Sequence, residues 1–411
     1  MSNGIELSNL YDSTADLVAD PVSAAVPVSP VLPGAAAESP GEAAALGVDE
    51  RTRVLRTFHG PAGPLPTRHV PPEPPREISW NARYQLQKLL GQGSQGVVYL
   101  ARREGVDGYY TRVALKLFYR HPKMTLADYV DEMRRVALQA QRVSVIQHDN
   151  LVSIRDFVAI GETRVMVLEW VDGMDLSRLL DRRRHEELRR RMPRREWDHL
   201  NDVIVTAGED HCRLKPGIAV DILRGCLAGL SSLHHNGIVH CDLKPSNIMV
   251  KRTGTKKIID LDSSCMPAED PPHWRGTPYY MAPEQHLKKN VQLHSDIASL
   301  GYILIEMLTG RLLFRDCDTD ADLCEAKLRL PGRLDQILPP EVKKSALLRS
   351  LVGKMVAVEP KDRFPDAEAA ELDRVGAVSF HRQLVKMDLA TEYSRELAWW
   401  LDLLNEGDTA E

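Results

Sequence analysis

Four residues in the middle of this chain have the types and spacing that phosphoryl transfer requires. Asp242, Lys244 and Asn247 fall within six residues in Ile238-Val-His-Cys-Asp-Leu-Lys-Pro-Ser-Asn-Ile-Met249, and Asp260 follows the asparagine by thirteen residues in Ile258-Ile-Asp-Leu-Asp262. The reaction needs an acceptor for a hydroxyl proton, a cation on the transferring group and oxygen ligands for magnesium. This cluster offers all of them. Upstream, Leu90-Gly-Gln-Gly-Ser-Gln-Gly-Val-Val-Tyr99 holds G-x-G-x-x-G, in which Gly91, Gly93 and Gly96 let a backbone fold closely over anionic oxygens. The same string opens dinucleotide-binding folds, but those need a helix straight after the glycines. Here a β-branched and aromatic strand follows, so the expected structure is a hairpin lid. Lys116, in Val-Ala-Leu-Lys, then lies on the next strand, placed to meet phosphates from below.

Elements that could position these groups are legible in the hydrophobic periodicity. Alternation predicts strands over 84–90, 97–101 and 112–118, with turn chemistry at Gly105 to Gly108. A helix is expected from Leu126 to about Val145, then strands over 151–158 and 164–169. Beyond Asp175 the patterns turn mostly helical, as at 218–235, 296–308 and 366–375. A small sheet-rich lobe therefore precedes a larger helical one. Asp181 to Arg195 holds eight Arg against three acids and looks like an inserted basic segment. The stretch from Phe380 to Leu404 has apolar positions at helical spacing, including Leu397, Trp399, Trp400 and Leu401, and is expected to cap the helical lobe.

With these motifs in order, the chain resembles the eukaryotic-type protein kinases, particularly the bacterial serine/threonine members, over about Tyr84 to Val375. Arg275-Gly-Thr-Pro-Tyr-Tyr-Met-Ala-Pro-Glu284 looks like that family's peptide-positioning loop, Ser295-Asp-Ile-Ala-Ser-Leu-Gly301 like the start of its central helix, and Arg363 like the partner of Glu284. The resemblance implies an α+β, bilobal protein-kinase fold with ATP and Mg²⁺ as cofactors. It implies that Asp242 orients and deprotonates the acceptor hydroxyl, that Lys244 neutralises the γ-phosphoryl, and that Asn247 and Asp260 hold the metal. Gly91, Gly93, Gly96, Val98 and Lys116 would line the nucleotide. Leu168 would be the gatekeeper, Glu169, Trp170 and Val171 the hinge that meets adenine, and Asp175 would reach the ribose. Lys244 with Thr277 resembles serine/threonine rather than tyrosine kinases.

Three positions depart from the family pattern. The helix that normally pairs a glutamate with the strand lysine offers Gln139, nine residues before His148, so a Lys116–Gln139 hydrogen bond without ionic assistance is the expectation. Glu132 lies two turns earlier and would substitute only if the helix shifted by about 10 Å at 1.5 Å per residue. Cys241 replaces the arginine before the catalytic aspartate, and Asp262 replaces the glycine of the metal-binding triplet. The alternative to an active kinase is therefore a nucleotide-binding pseudokinase scaffold. A small-molecule kinase is disfavoured by the peptide-positioning string.

Composition bounds the rest. The chain has 411 residues, a net charge of -5 and six cysteines without a C-x-x-C pair, which argues against a zinc ribbon, a whole-protein field for nucleic acid, and a disulfide scaffold. The best apolar run, near Ile297 to Leu308, is too short to span a bilayer. A cytoplasmic protein with a protein substrate, and with neither nucleic acid nor membrane as partner, is expected. Residues 1–78 hold twelve of the 26 prolines and keep no helical or strand period, so they are expected to form a disordered tail. The tail is acidic over 1–50, with eight acids and no Lys or Arg, and basic over 51–76, with five Arg and one acid. The predicted organisation is this tail, a kinase domain over 79–376 with the basic insert near 181–215, and a helical extension over 377–411. A contact between the acidic leader and the basic insert is a further expectation, as is activity that does not depend on phosphorylation of the activation segment. The segment 266–276, MPAEDPPHWRG, contains no Ser, Thr or Tyr.

Overall fold

The computed structural model describes residues 77–79, 83–93, 96–270, 276–386 and 392–408. The leader expected over 1–78 lies outside them, apart from Glu77 and Ile78, which belong to the first strand. Six antiparallel strands open the fold: β1 (Glu77–Ser79), β2 (Arg83–Gly93), β3 (Gly96–Glu104), β4 (Tyr110–Phe118), β5 (Ile154–Ile160) and β6 (Thr163–Glu169), in the order β1-β2-β3-β4-β6-β5. Helix α1 (Leu126–Ser144) crosses between β4 and β5 and starts at Thr125, whose side chain accepts from the Asp128 amide.

The period of two along β4 sends successive side chains to opposite faces. Val113, Leu115 and Leu117 pack with Tyr84, Ala101, Val165 and Val167 on one side. Phe118 packs on the other with Tyr129, Met133, Val136 and Ala140 of α1. Lys116, two residues from Phe118, shares its face and so points toward α1 and the interlobe cleft.

The larger lobe follows β7 (Gly173–Asp175). It contains α2 (Leu176–Leu179), α3 (Arg182–Arg191), α4 (Arg194–Val203), the hairpin β8 (Val205–Ala207) and β9 (Cys212–Leu214), and α5 (Pro216–His235). Strand β10 (Ile248–Lys251) pairs with β7 on one side and with β11 (Lys256–Ile258) on the other, in a three-stranded sheet. Then come α6 (Pro283–His286), α7 (Leu293–Thr309), α8 (Asp320–Ile337), α9 (Pro340–Lys344), α10 (Ala346–Met355), α11 (Ala367–Leu372), α12 (Ala377–Lys386) and α13 (Tyr393–Asp408). Every residue of α7 from Ser295 to Thr309 is buried, so this helix is the axis of the lobe, and it stops at Gly310 in a left-handed conformation.

Helix α5, expected over 218–235, is a longer apolar element than the run near 297–308. By length and composition alone its 20 residues could cross a membrane, yet Ile218, Ile222, Leu223, Leu227, Leu230 and Leu233 form the centre of this lobe. The basic insert is two helices and a short hairpin. The C-terminal stretch is α12 and α13, and Leu397, Trp400, Leu401 and Leu404 complete the same core.

Candidate active site

The catalytic loop is held by a buried acid at the start of α7. Asp296 Oδ2 accepts from the His240 amide at 2.8 Å and Oδ1 from the Cys241 amide at 3.0 Å, while His234 Nε2 lies 3.0 Å from Oδ2. These bonds sustain a left-handed Cys241, at φ 69°, which a non-glycine residue adopts only when its surroundings impose it. Reversal of the chain there presents Asp242 to the cleft. Asp296 stands in the quoted Ser295-Asp-Ile string, but its positioning role depends on this backbone geometry, which the sequence pattern alone does not display.

Around Asp242 the polar groups converge. Thr277 Oγ1 donates to Asp242 Oδ1 at 2.7 Å, and Lys244 Nζ donates to Asp242 Oδ2 at 2.8 Å and to Thr277 Oγ1 at 3.1 Å. The segments that carry Asp242 and Thr277 thus meet at the Asp242 carboxylate. Asn247 Nδ2 donates to the Asp242 carbonyl at 2.8 Å and lies 3.4 Å from its Oδ2. Both bonds use the amide nitrogen, which orients the amide oxygen as the group available to a cation. Asp260 lies immediately before a short 3₁₀ turn, Leu261–Ser263, with a left-handed φ of 66°. One carboxylate and one amide oxygen suit a hard cation that takes its remaining ligands from phosphate and water. Among the described residues no group of three or more His, Cys, Asp or Glu forms a metal cage.

At the nucleotide end, β2 and β3 turn between Gly93 and Gly96, which face each other in register; Ser94 and Gln95 lie outside the described residues. A Cβ on Gly96, at φ 153°, would meet the Leu117 carbonyl at 1.9 Å, so this strand pairing admits only glycine there. Added Cβ atoms on Gly91 and Gly93 would meet nothing within 4 Å, leaving that surface open. Val98 pairs with Lys116 across the sheet. At the hinge, Val171 is buried and Glu169 is bound by Lys257 Nζ at 2.7 Å. Asp175 caps α2 by accepting from the Arg178 amide at 3.0 Å.

The expected Lys116–Gln139 bond is not made. Gln139 Nε2 donates instead to Asp270 on the activation segment at 3.0 Å, and Lys116 Nζ binds Asp260 and both oxygens of Asp262, the latter at 3.1 Å each. The residues of α1 that share a cavity wall with Asp262 are Glu132, Met133 and Val136. Burial would lower the lysine's pKa, but the charges of Asp260 and Asp262 prevail and hold it above its ordinary range. Burial, and then the neighbouring Asp260, push Asp262 up to about 8. Burial opposes ionisation of Asp260 too, yet Lys116 outweighs it and keeps this carboxyl below the usual range.

Two further contacts complete the frame. Arg363 grips Glu284 through Nη1–Oε1 at 2.7 Å and Nη2–Oε2 at 2.9 Å, both side chains buried, which realises the pairing expected of them. Cys241 and Cys265 bring their sulfurs to 3.2 Å where the strand-like bridge Val239–Cys265 joins the catalytic loop to the activation segment.

Comparison with known proteins agrees with this geometry. The protein kinase domain family matches residues 84–373. The serine/threonine-protein kinase Pkn1 of Myxococcus xanthus is 32% identical over 295 residues, covering 70% of this chain and 37% of that protein. PksC of Streptomyces coelicolor is 31% identical over 306 residues (70% and 47%), and PrkC of Bacillus subtilis 27% over 297 (71% and 40%). The chain thus spans less than half the length of these relatives. Because the match runs from the glycine lid through to Arg363 and α11, the chain belongs to the protein kinase family, alongside the serine/threonine kinases of bacteria.

Proposed function

We propose that the chain transfers the γ-phosphoryl of ATP to a Ser or Thr hydroxyl of a protein substrate, with Mg²⁺ as the metal. The observation that carries this is the convergence of Asp242, Lys244 and Thr277. Asp242 Oδ1 already accepts a hydroxyl proton donor, Thr277, at 2.7 Å. An acceptor hydroxyl that took this place would be oriented by the same oxygen and would lose its proton to it. Lys244, held within 3.1 Å of both partners, supplies the fixed positive charge for the transferring group. Lys116 supplies the other, from the small lobe. Asn247 and Asp260 would hold the metal, which neutralises phosphate charge when bound.

The same reading extends to control. With Cys241 in place of an arginine, the catalytic loop has no guanidinium for a phosphorylated activation segment. The segment is tied instead by its own acids: Arg142 at the last turn of α1 binds Glu269 at 2.9 Å and Asp270 at 2.8 Å, and Asp270 also accepts from the Met266 amide at 2.6 Å. Encoded carboxylates thus take the part of a phosphate, which supports turnover without activation-segment phosphorylation. A scaffold without turnover leaned on Gln139 and Asp262, and the bond from Asp262 to Lys116 turns the second of these toward catalysis.

Partners follow from the surface. Arg183, Arg190 and Arg195 of the insert are exposed, so the insert is the face on which the acidic leader, net -8 over residues 1–50, would dock. All six cysteines are free, in keeping with a reducing, cytoplasmic compartment.

Phosphatase-treated protein, assayed with labelled ATP, magnesium and an exogenous peptide from the first seconds, tests both parts. Immediate linear transfer, abolished in Asp242→Ala and Asp260→Ala, is the expected result. A lag removed by preincubation with ATP would overturn phosphorylation independence. Transfer no greater than that of Asp242→Ala would overturn the kinase reading itself.

A further inference from the structure

Lys116 Nζ donates to Asp260 and to both oxygens of Asp262. Asp260 is a residue the metal would claim. A lysine that must keep its aim on phosphate in a buried site needs a hydrogen-bonding partner that does not leave with the metal. Position 262 meets this need. Its side chain is 2% exposed, both oxygens lie 3.1 Å from the lysine nitrogen, and the turn Leu261–Ser263 that carries it packs against α1.

On α1, Gln139 is turned to Asp270, and Glu132, Met133 and Val136 line the cavity wall beside Asp262. Resting on the kinase reading above, we propose that Asp262 is the positioning residue for Lys116, doing from the turn after the metal-binding aspartate what a helix acid would do from α1.

A double-mutant cycle on nucleotide affinity tests this without relying on turnover. The dissociation constant of ADP is measured in the presence of EDTA for the wild type, Asp262→Asn, Lys116→Met and the double variant, with Glu132→Gln as a control. If Asp262 acts through Lys116, Asp262→Asn weakens ADP about tenfold in the wild-type background, the scale of one charge-assisted bond, and less than twofold once Lys116 is methionine. Glu132→Gln stays within twofold of wild type. Equal effects of Asp262→Asn in both backgrounds would reduce the residue to a structural part and overturn the proposal. So would a loss in Glu132→Gln matching that of Asp262→Asn. If the asparagine variant does not fold, Asp262→Gly is read by the same cycle. Because ADP affinity needs no chemistry, a failure of the cycle is distinguishable from a failure of phosphoryl transfer.

Discussion

Arg142 at the end of α1 and Asp270 on the activation segment form a chelated pair: Nη1 lies 2.8 Å from Oδ1 and 2.9 Å from Oδ2. Burial opposes the charge on Asp270, but the Met266 amide and Arg142 outweigh it and hold the carboxyl below its ordinary pKa. The contact is therefore fully ionic at neutral pH. Asp270→Ala removes it and leaves Arg142 with Glu269 and a 3.4 Å bond to Gln139 Oε1. Peptide phosphorylation is expected to fall about tenfold, and Asp270→Glu to retain most of it. Limited proteolysis should cut the segment faster in the alanine variant. Unchanged kinetics and cleavage in Asp270→Ala would mean that the segment is ordered by other means.

What could be read from the sequence divides along a physical line. Groups whose spacing chemistry dictates within one loop, such as Asp242, Lys244 and Asn247, converge as the pattern spaces them, because a short loop has little freedom to rearrange them. The strand and helix limits were close for the same reason; α1, for example, was expected over 126–145 and runs over 126–144. The partner of Lys116 was not legible. It depends on how α1 lies on the sheet, and that pose is set by the packing of Tyr129, Met133, Val136 and Ala140 against Phe118 and Met166. Counting along the chain therefore selected Gln139, while the acid that occupies the site was noted only as a replaced glycine. The insert offers the converse case. Eight arginines mark a basic segment, and the pattern does not show that Arg184 is buried or that Arg191 donates to the Leu403 carbonyl within α13.

The Glu284–Arg363 pair should govern acid stability of the large lobe. Burial would raise the pKa of Glu284, but the two bonds and the charge of Arg363 depress it below its ordinary 4.5. A depressed acid contributes stability above its unfolded pKa and loses it as pH falls through the folded value. The contribution is thus complete near neutrality and declines below about pH 4.5. Arg363→Met leaves Glu284 buried and unpaired, at an expected cost of about 3–5 kcal/mol, with a flatter response to acid. Denaturant titrations at pH 7 and at successive steps toward pH 3 measure both effects. A loss under 1 kcal/mol at pH 7 would show that the lobe does not depend on this pair.

Lys327 on α8 is the buried group whose titration bears on the peptide-positioning loop. Its side chain reaches the Met281 carbonyl at 2.7 Å, the Pro278 carbonyl at 2.5 Å and His286 Nε2 at 2.8 Å, and so staples the loop from beneath. Burial lowers its pKa to about 7, against the opposing charges of Asp320 and Glu284. The sign follows from a base depressed on folding: between about 7 and 10.5 the unfolded chain binds more protons, so stability attributable to this lysine rises with pH across that window. In Lys327→Met the term is absent. The difference in unfolding free energy between wild type and variant should therefore grow from pH 7 to pH 9.5, with a slope approaching ~1.4 kcal/mol per unit. Loss of the staple should also raise the KM for peptide several-fold while that for ATP stays unchanged, because the loop and the nucleotide cleft are held by different residues. A pH-independent difference, or a KM change shared equally by ATP and peptide, would show that Lys327 packs the lobe without positioning the loop.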